Sequence, residues 1–273
     1  DINKVRNLAT RIRLDVLEMT NLGTSSHIGS VFSIADILAC LYSGLLKVNT
    51  KNPTKKNRDR FILSKGHAGA GVYSVLAQVG FFDTDILKSH YQNGSKLSGH
   101  ISHKAIPGVE FSTGSLGHGL PVGLGMALAA KIDNRKNNVV VLLSDGECDE
   151  GSNWEAILFA PHHKLDNLIV IIDYNKLQSL DYVENTLNIE PLEEKWKSFG
   201  WNVNSINGHN FEEIINSFNS AVNKKDGRPT CIIANTIKGK GVSFMEDRVL
   251  WHYRAPKGDE YEEARKELIK QLI

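Results

Sequence analysis

Two short runs constrain this chain more than any other feature. Val139–Leu143 is continuously apolar and ends at Ser144-Asp145-Gly146, and Leu168–Ile172 is equally apolar and ends at Asp173-Tyr174-Asn175. Short unbroken runs rich in Val and Ile, closed by turn residues, predict strands buried on both faces of a parallel sheet. Parallel neighbours need a crossover, and Gly151–His163 between them has the length and composition of a helix. The stretch is therefore one βαβ unit. Ligands of open α/β sheets bind beyond the carboxyl ends of the strands. Asp145 and Asn175 both stand there, 30 residues apart in the chain.

The rest of the sequence repeats the alternation. Val5, Leu8, Ile12, Val16 and Met19 have helical spacing. Ser33 and Asp36 have capping-box spacing and predict a helix running to about Leu46. Phe61-Ile62-Leu63 predicts a short strand and Ala68–Val79 a helix, and Lys88–Ile106 reads as a long irregular loop. Thr113–Ile132 predicts a glycine-rich start, capped by Thr113 or Ser115, and then an apolar helix. Helices at Pro191–Phe199, Phe211–Asn223 and Glu260–Leu272 flank strands at Trp201–Ile206 and Pro229–Thr236, and residues 242–257 predict a loop. The pattern is that of one α/β domain over residues 1–273: a doubly wound, mostly parallel sheet flanked by helices.

A net charge of +1, with both signs mixed throughout, excludes a nucleic-acid surface or a polybasic membrane patch. The basic clump Lys51–Arg60 reads as a solvated loop. No apolar stretch approaches the roughly 18–20 residues of a membrane span. Cys40, Cys148 and Cys231 lack metal-ligand spacing and read as reduced thiols of a cytoplasmic protein.

Asp145 and Asn175 suit a magnesium diphosphate. Mg2+ takes about six oxygens and shares its site among carboxylate, neutral oxygens, water and phosphate. Asp145 offers the carboxylate, Asn175 an amide oxygen, and Leu177 a third ligand through its carbonyl. Gly146 lets backbone approach a phosphate. The bland alternative, a plain D-G turn and a plain strand end, stands equally on these residues alone. His27, His67, His100 and His252 each sit in a glycine-flanked or strand-end loop, where side chains can converge over the sheet edge. Lys238-Gly239-Lys240-Gly241 reads as a positioning loop.

The Asp145-Gly146…Asn175 spacing is similar to the thiamine-diphosphate fingerprint, with Ser144 where that pattern has Gly. Ser26-His27-Ile28-Gly29, Leu63-Ser64-Lys65-Gly66-His67, Ser98-Gly99-His100, Thr113-Gly114-Ser115-Leu116-Gly117, Asp149-Glu150-Gly151, Lys238-Gly239-Lys240-Gly241 and then His252 resemble transketolase segments, in transketolase order. The resemblance covers the amino-terminal third of a full transketolase. It implies that His67 and His252 contact the diphosphate and the reacting carbons, and that His27 and His100 bond the donor sugar. It implies that Gly114 and Leu116 line the aminopyrimidine, and that Glu150 joins a buried acidic network between paired sites. The implied cofactors are thiamine diphosphate and Mg2+, with Ca2+ able to substitute.

The implied activity is transfer of a two-carbon ketol unit from a ketose or ketose phosphate to an aldose. The implied partner is a separate carboxyl-terminal subunit with the pyrimidine-binding domain, two copies of each chain forming a heterotetramer. The apolar helix Pro121–Ile132 is the expected contact. Two alternatives remain at this level: another thiamine enzyme (1-deoxyxylulose-phosphate synthase-like or 2-oxo-acid dehydrogenase-like), or a non-catalytic scaffold subunit.

Overall fold

The computed structural model describes all 273 residues, Asp1–Ile273. Five strands form one parallel sheet: β1 (Arg60–Leu63), β2 (Val139–Ser144), β3 (Leu168–Tyr174), β4 (Asn202–Asn207) and β5 (Thr230–Asn235). Their spatial order is β1-β2-β3-β5-β4. The register pairs Ser144 with Asp173 and Tyr174 with Asn235, so the strands end along one edge.

The two-face burial predicted from the apolar runs is met by two cores. Val140, Leu142, Ile169, Ile171, Ile232 and Ala234 enter one, and Val139, Val141, Leu143, Leu168, Val170, Ile172, Cys231 and Ile233 enter the other. This alternation is the period of two of a pleated strand. The first core is closed by α1 (Ile2–Gly23), α2 (Ile28–Phe32), α3 (Ala35–Cys40), α4 (Gly69–Gln78), α9 (Phe211–Asn223) and α10 (Asp259–Ile269). The second is closed by α5 (Gly119–Ile132), α6 (Gly151–His162), the single turn α7 (Val183–Thr186) and α8 (Leu192–Ser198). The β2-to-β3 and β3-to-β4 connections advance across the sheet and place α6 and α8 on one face. The β4-to-β5 connection runs back and places α9 on the other, as right-handed crossovers require.

Local readings failed where side chains found distant partners. The helix predicted from Ser33 to about Leu46 is present as α3 running directly into a π-turn at Leu41–Leu45, with Gly44 at φ 123° near its end. Ser33 does not cap α3. Its hydroxyl donates to Asp173 at 2.7 Å and to the Ser30 carbonyl, while Asp36 takes a bidentate bond from Arg13. The apolar helix predicted after the glycine-rich start is α5, beginning at Gly119. Thr113 caps nothing and donates its hydroxyl to the Leu63 carbonyl at the end of β1. The basic clump is not wholly solvated either: Arg58 is buried and pairs with Glu110. Within the predicted 242–257 loop, Val249–His252 forms one 3-10 turn.

Candidate active site

Asp145 follows β2 and Asn175 follows β3, so the parallel register brings both to one edge. They line a cavity of about 210 Å3 together with Lys65, His67, Leu116, Ser144, Gly146, Leu177, Lys238, His252 and Tyr253. Asp145 is buried, and its oxygens accept only backbone N–H groups, from Gly146 at 2.8 Å and Lys176 at 2.6 Å. Burial, followed by the charge of nearby Asp173, pushes its carboxyl up to about 7. A cation beside this carboxylate would offset the cost of burying its charge. The donor set of carboxylate, amide oxygen and carbonyl is a hard one, suited to Mg2+ or Ca2+. The Asn175 oxygen accepts the Leu177 N–H at 3.0 Å and its amide donates to Asp173, which fixes the side chain in a turn.

The four histidines of glycine-flanked or strand-end loops converge. The His27 ring lies 5.2 Å from His67, 5.5 Å from His100 and 5.0 Å from His252, and His67 lies 5.6 Å from His252, between centroids. His27 holds a left-handed φ of 71°, uncommon outside glycine. Its N–H donates to the His252 carbonyl at 2.9 Å and Ser26 bonds its Nδ1 at 2.8 Å, so contacts from two loops hold the strained residue. Burial lowers His27 to about 4 and His252 to about 3; the neighbouring charges of His100, Lys238 and Lys65 add to the first, and those of Lys238, His27 and Lys65 to the second. Burial and Lys65 hold His67 well below its ordinary value. These three rings are neutral at pH 7, each able to donate and accept. Gly114 packs beside His100, where a Cβ would stand 3.3 Å from the ring.

Several functional residues were missed. Lys238 is 1 % exposed, and its ammonium donates to the Leu177 and Gln178 carbonyls at 3.0 Å and contacts His252 Nδ1 at 2.8 Å. The KGKG loop thus sends a cation into the site. Lys65 and Asp173 form a buried ion pair at 2.5 Å beneath it. Burial pushes the Asp173 carboxyl up, but Lys65 and hydrogen bonds from Thr236 and Ser33 outweigh it and hold it low. A readable signal existed: an Asp inside a run buried on both faces demands a partner.

Glu150 is exposed on this chain, at the N-cap position of α6, and makes no side-chain cap bond. The buried acid of that segment is Glu147, which accepts from Ser64 and, at 2.9 Å, from the Gly117 N–H. Glu147 thereby fastens the 113–118 loop to the end of β2. Cys148 is buried and its thiol is pushed well up by burial, so it carries no nucleophile. A larger cavity, about 700 Å3, opens at the opposite edge of the sheet among Arg58, Arg60, Arg135 and Asn137. It shares no residue with the histidine cluster.

Ser144 has a structural use. Its hydroxyl accepts the Glu147 N–H at 3.2 Å, a second side-chain bond to the 3-10 turn Gly146–Asp149 beside that of its N-cap Asp145. Ser144→Gly is expected to cost only a few tenths of a kcal/mol, as cap-to-Gly changes do, and to leave cofactor affinity within about threefold. Calorimetric titration checks this. A much larger gain in affinity would show that the serine weakens the site.

Residues 4–270 match the family described as "Transketolase, thiamine diphosphate binding domain". The chain belongs to the transketolase family. The domain it forms is the family's cofactor-binding one, which makes it part of a thiamine-diphosphate-dependent transferase. It is 44% identical to an apulose-4-phosphate transketolase subunit from Actinobacillus succinogenes, over 95% of this chain and 93% of that one. It is 41% identical to a 6-deoxy-6-sulfo-D-fructose transketolase subunit from Clostridium sp., over 92% and 90%. Human transketolase is 35% identical over 99% of this chain, which spans 43% of that longer protein. The Campylobacter jejuni transketolase crystal structure superposes with a TM-score of 0.91 at 34% identity, covering 98% of this chain and 43% of that one. This transketolase-family domain therefore holds its histidine cluster and the Asp145–Asn175 pair on a fold of known type.

Proposed function

We propose that this chain is the diphosphate-binding subunit of a two-chain transketolase, moving a two-carbon ketol unit from a ketose or ketose phosphate to an aldose. The observation that carries the reading is the convergence of four histidines over a cavity floored by Asp145 and Asn175. Thiamine diphosphate, when bound, supplies the carbanion-stabilising chemistry. The residues present fit it. Asp145 and Asn175 would hold Mg2+, or Ca2+ in its place, with the Leu177 carbonyl as third ligand. That carbonyl accepts from Lys238, so it would share its second lone pair with the metal. Gly146, His67, His252 and Lys238 would meet the diphosphate, and Gly114 and Leu116 the aminopyrimidine. His27 and His100 would bond the donor's hydroxyls, the neutral imidazole of His27 taking or giving a proton at its ring nitrogen.

Two of the relatives are named as subunits, which supports a separate partner chain carrying a pyrimidine-binding domain. A heterotetramer with two copies of each chain fits the apolar α5, where Val122, Leu124, Met126 and Leu128 are only partly buried and Ile132 is 70 % exposed. Glu150 would enter an acidic network only across such a contact. No helix is long and apolar enough to cross a membrane; a cytoplasmic enzyme is the reading consistent with three unpaired cysteines.

The test is ketol transfer with thiamine diphosphate, Mg2+, a ketose phosphate and an aldose phosphate. The lone chain is expected to show no turnover. Activity should appear when a chain carrying the pyrimidine-binding domain is co-expressed. Orientation and proton transfer account for many orders of magnitude in rate, and half a site supplies neither. Full turnover by the lone chain would end the two-chain reading.

A further inference from the structure

Tyr253 stands beside the histidine cluster with a phenol hydroxyl that makes no hydrogen bond within the chain. Its ring lies 5.9 Å from His27 and 4.7 Å from His252, edge-on to both. It lines the same cavity as Asp145, Asn175 and His67. It is nonetheless 61 % exposed. Its backbone is well fixed. The preceding residue, His252, is held by the His27 N–H on its carbonyl and by Lys238 on its ring, and Arg254 stacks over Trp251 and pairs with Glu260 on the other side. An aromatic ring on a fixed base costs little conformational entropy to use in binding. An exposed Tyr held against two site histidines therefore presents one hydroxyl and one apolar face to whatever reaches them.

We propose that Tyr253 is a specificity-determining residue bordering the donor subsite, where it contacts the part of a ketose beyond the transferred two-carbon unit. The proposal rests on the ketol-transfer reading above. The ligand class is a polyhydroxylated ketose chain, whose hydroxyls suit the phenol O–H and whose C–H faces suit the ring. Tyr253 shares this cavity with Asp145 and Asn175, which would hold the metal, and its ring also lies beside His27, which would bond the donor. Cofactor affinity and donor kinetics read separately therefore distinguish the two sides of its position.

The experiment compares wild type, Tyr253→Phe and Tyr253→Ala in the assembled two-chain enzyme with two donors. One is a ketose phosphate. The other is hydroxypyruvate, which delivers the same two-carbon unit with no sugar chain attached. With the ketose, kcat/KM is expected to fall about tenfold in Tyr253→Ala, and by a smaller factor in Tyr253→Phe, which keeps the ring. With hydroxypyruvate both variants should stay within about twofold of wild type, and thiamine-diphosphate affinity by calorimetry should not move. Equal losses with both donors would overturn the proposal and make Tyr253 a prop for His252. Unchanged kinetics with both donors would overturn it, as would loss of complex assembly on size exclusion, which would make the residue a docking contact. Failure of the wild-type complex to turn over either donor would instead strike at the ketol-transfer reading itself.

Discussion

Asp145→Ala is expected to abolish metal-dependent cofactor binding and to lower ketol transfer by about a thousandfold or more. A metal's charge stabilisation amounts to several kcal/mol, and each roughly 1.4 kcal/mol is tenfold in rate. A readout that needs no turnover is the thermal shift of the purified chain with thiamine diphosphate and Mg2+, which the variant should lose. The pH dependence follows from the raised carboxyl of Asp145, at about 7 when folded against roughly 3.9 unfolded. Between these values the folded chain holds a proton that the unfolded chain releases. The contribution of Asp145 to stability therefore falls as pH climbs through this window and is level above it. Cation binding needs the ionised form, so apparent Mg2+ affinity should rise about tenfold per pH unit up to about pH 7 and flatten beyond. An affinity that does not change between pH 5.5 and 8 would show that the Asp145 carboxyl is not raised; loss of metal binding in Asp145→Ala remains the test of its place in the metal site.

The second large effect is on the fold. Lys65→Met is expected to destabilise the chain by roughly 3–5 kcal/mol, because it strands the Asp173 carboxylate in a buried position. Lys65 and Asp173 are both fully buried beneath the cavity. The pair also ties distant parts of the chain. Lys65 donates to the Ser30 carbonyl at 3.0 Å, and Asp173 accepts from Ser33, Thr236 and Asn175. Asp173→Asn should likewise destabilise, and the double variant should be less destabilised than the two singles combined, since it removes the unpaired charge. Urea denaturation of all four proteins measures this coupling. Simple additivity would mean that the pair contributes nothing as a pair.

Asp145 and Asn175 were legible in the sequence because strand ends are set by local composition, and a parallel sheet aligns those ends whatever the intervening chain does. The histidines were legible as residues of glycine-flanked or strand-end loops. Their 5–6 Å convergence was not, because it depends on how loops from four parts of the chain turn over the edge. Ser33 shows the limit from the other side. Its capping-box spacing is a valid local signal, yet its hydroxyl went to Asp173, 140 residues away. A buried carboxylate offers a stronger bond than a helix terminus open to other partners. Lys238 was undervalued for a similar reason. The Lys238-Gly239-Lys240-Gly241 loop read as a positioning loop, and which of its two lysines turns inward depends on neighbours from other parts of the chain.

The sequence by itself determined the sheet, its burial on both faces and the edge at which chemistry occurs, because apolar periodicity and turn residues act over a few positions. It also determined the family, because ordered short segments leave little room for another. Only the tertiary structure decided the charges of the site. It raised Asp145, sank Lys65 onto Asp173, turned Lys238 inward and left Glu150 on the surface while burying Glu147. Each of these is a matter of desolvation and of which opposite charge lies within a few ångströms, and those distances join residues far apart in the chain.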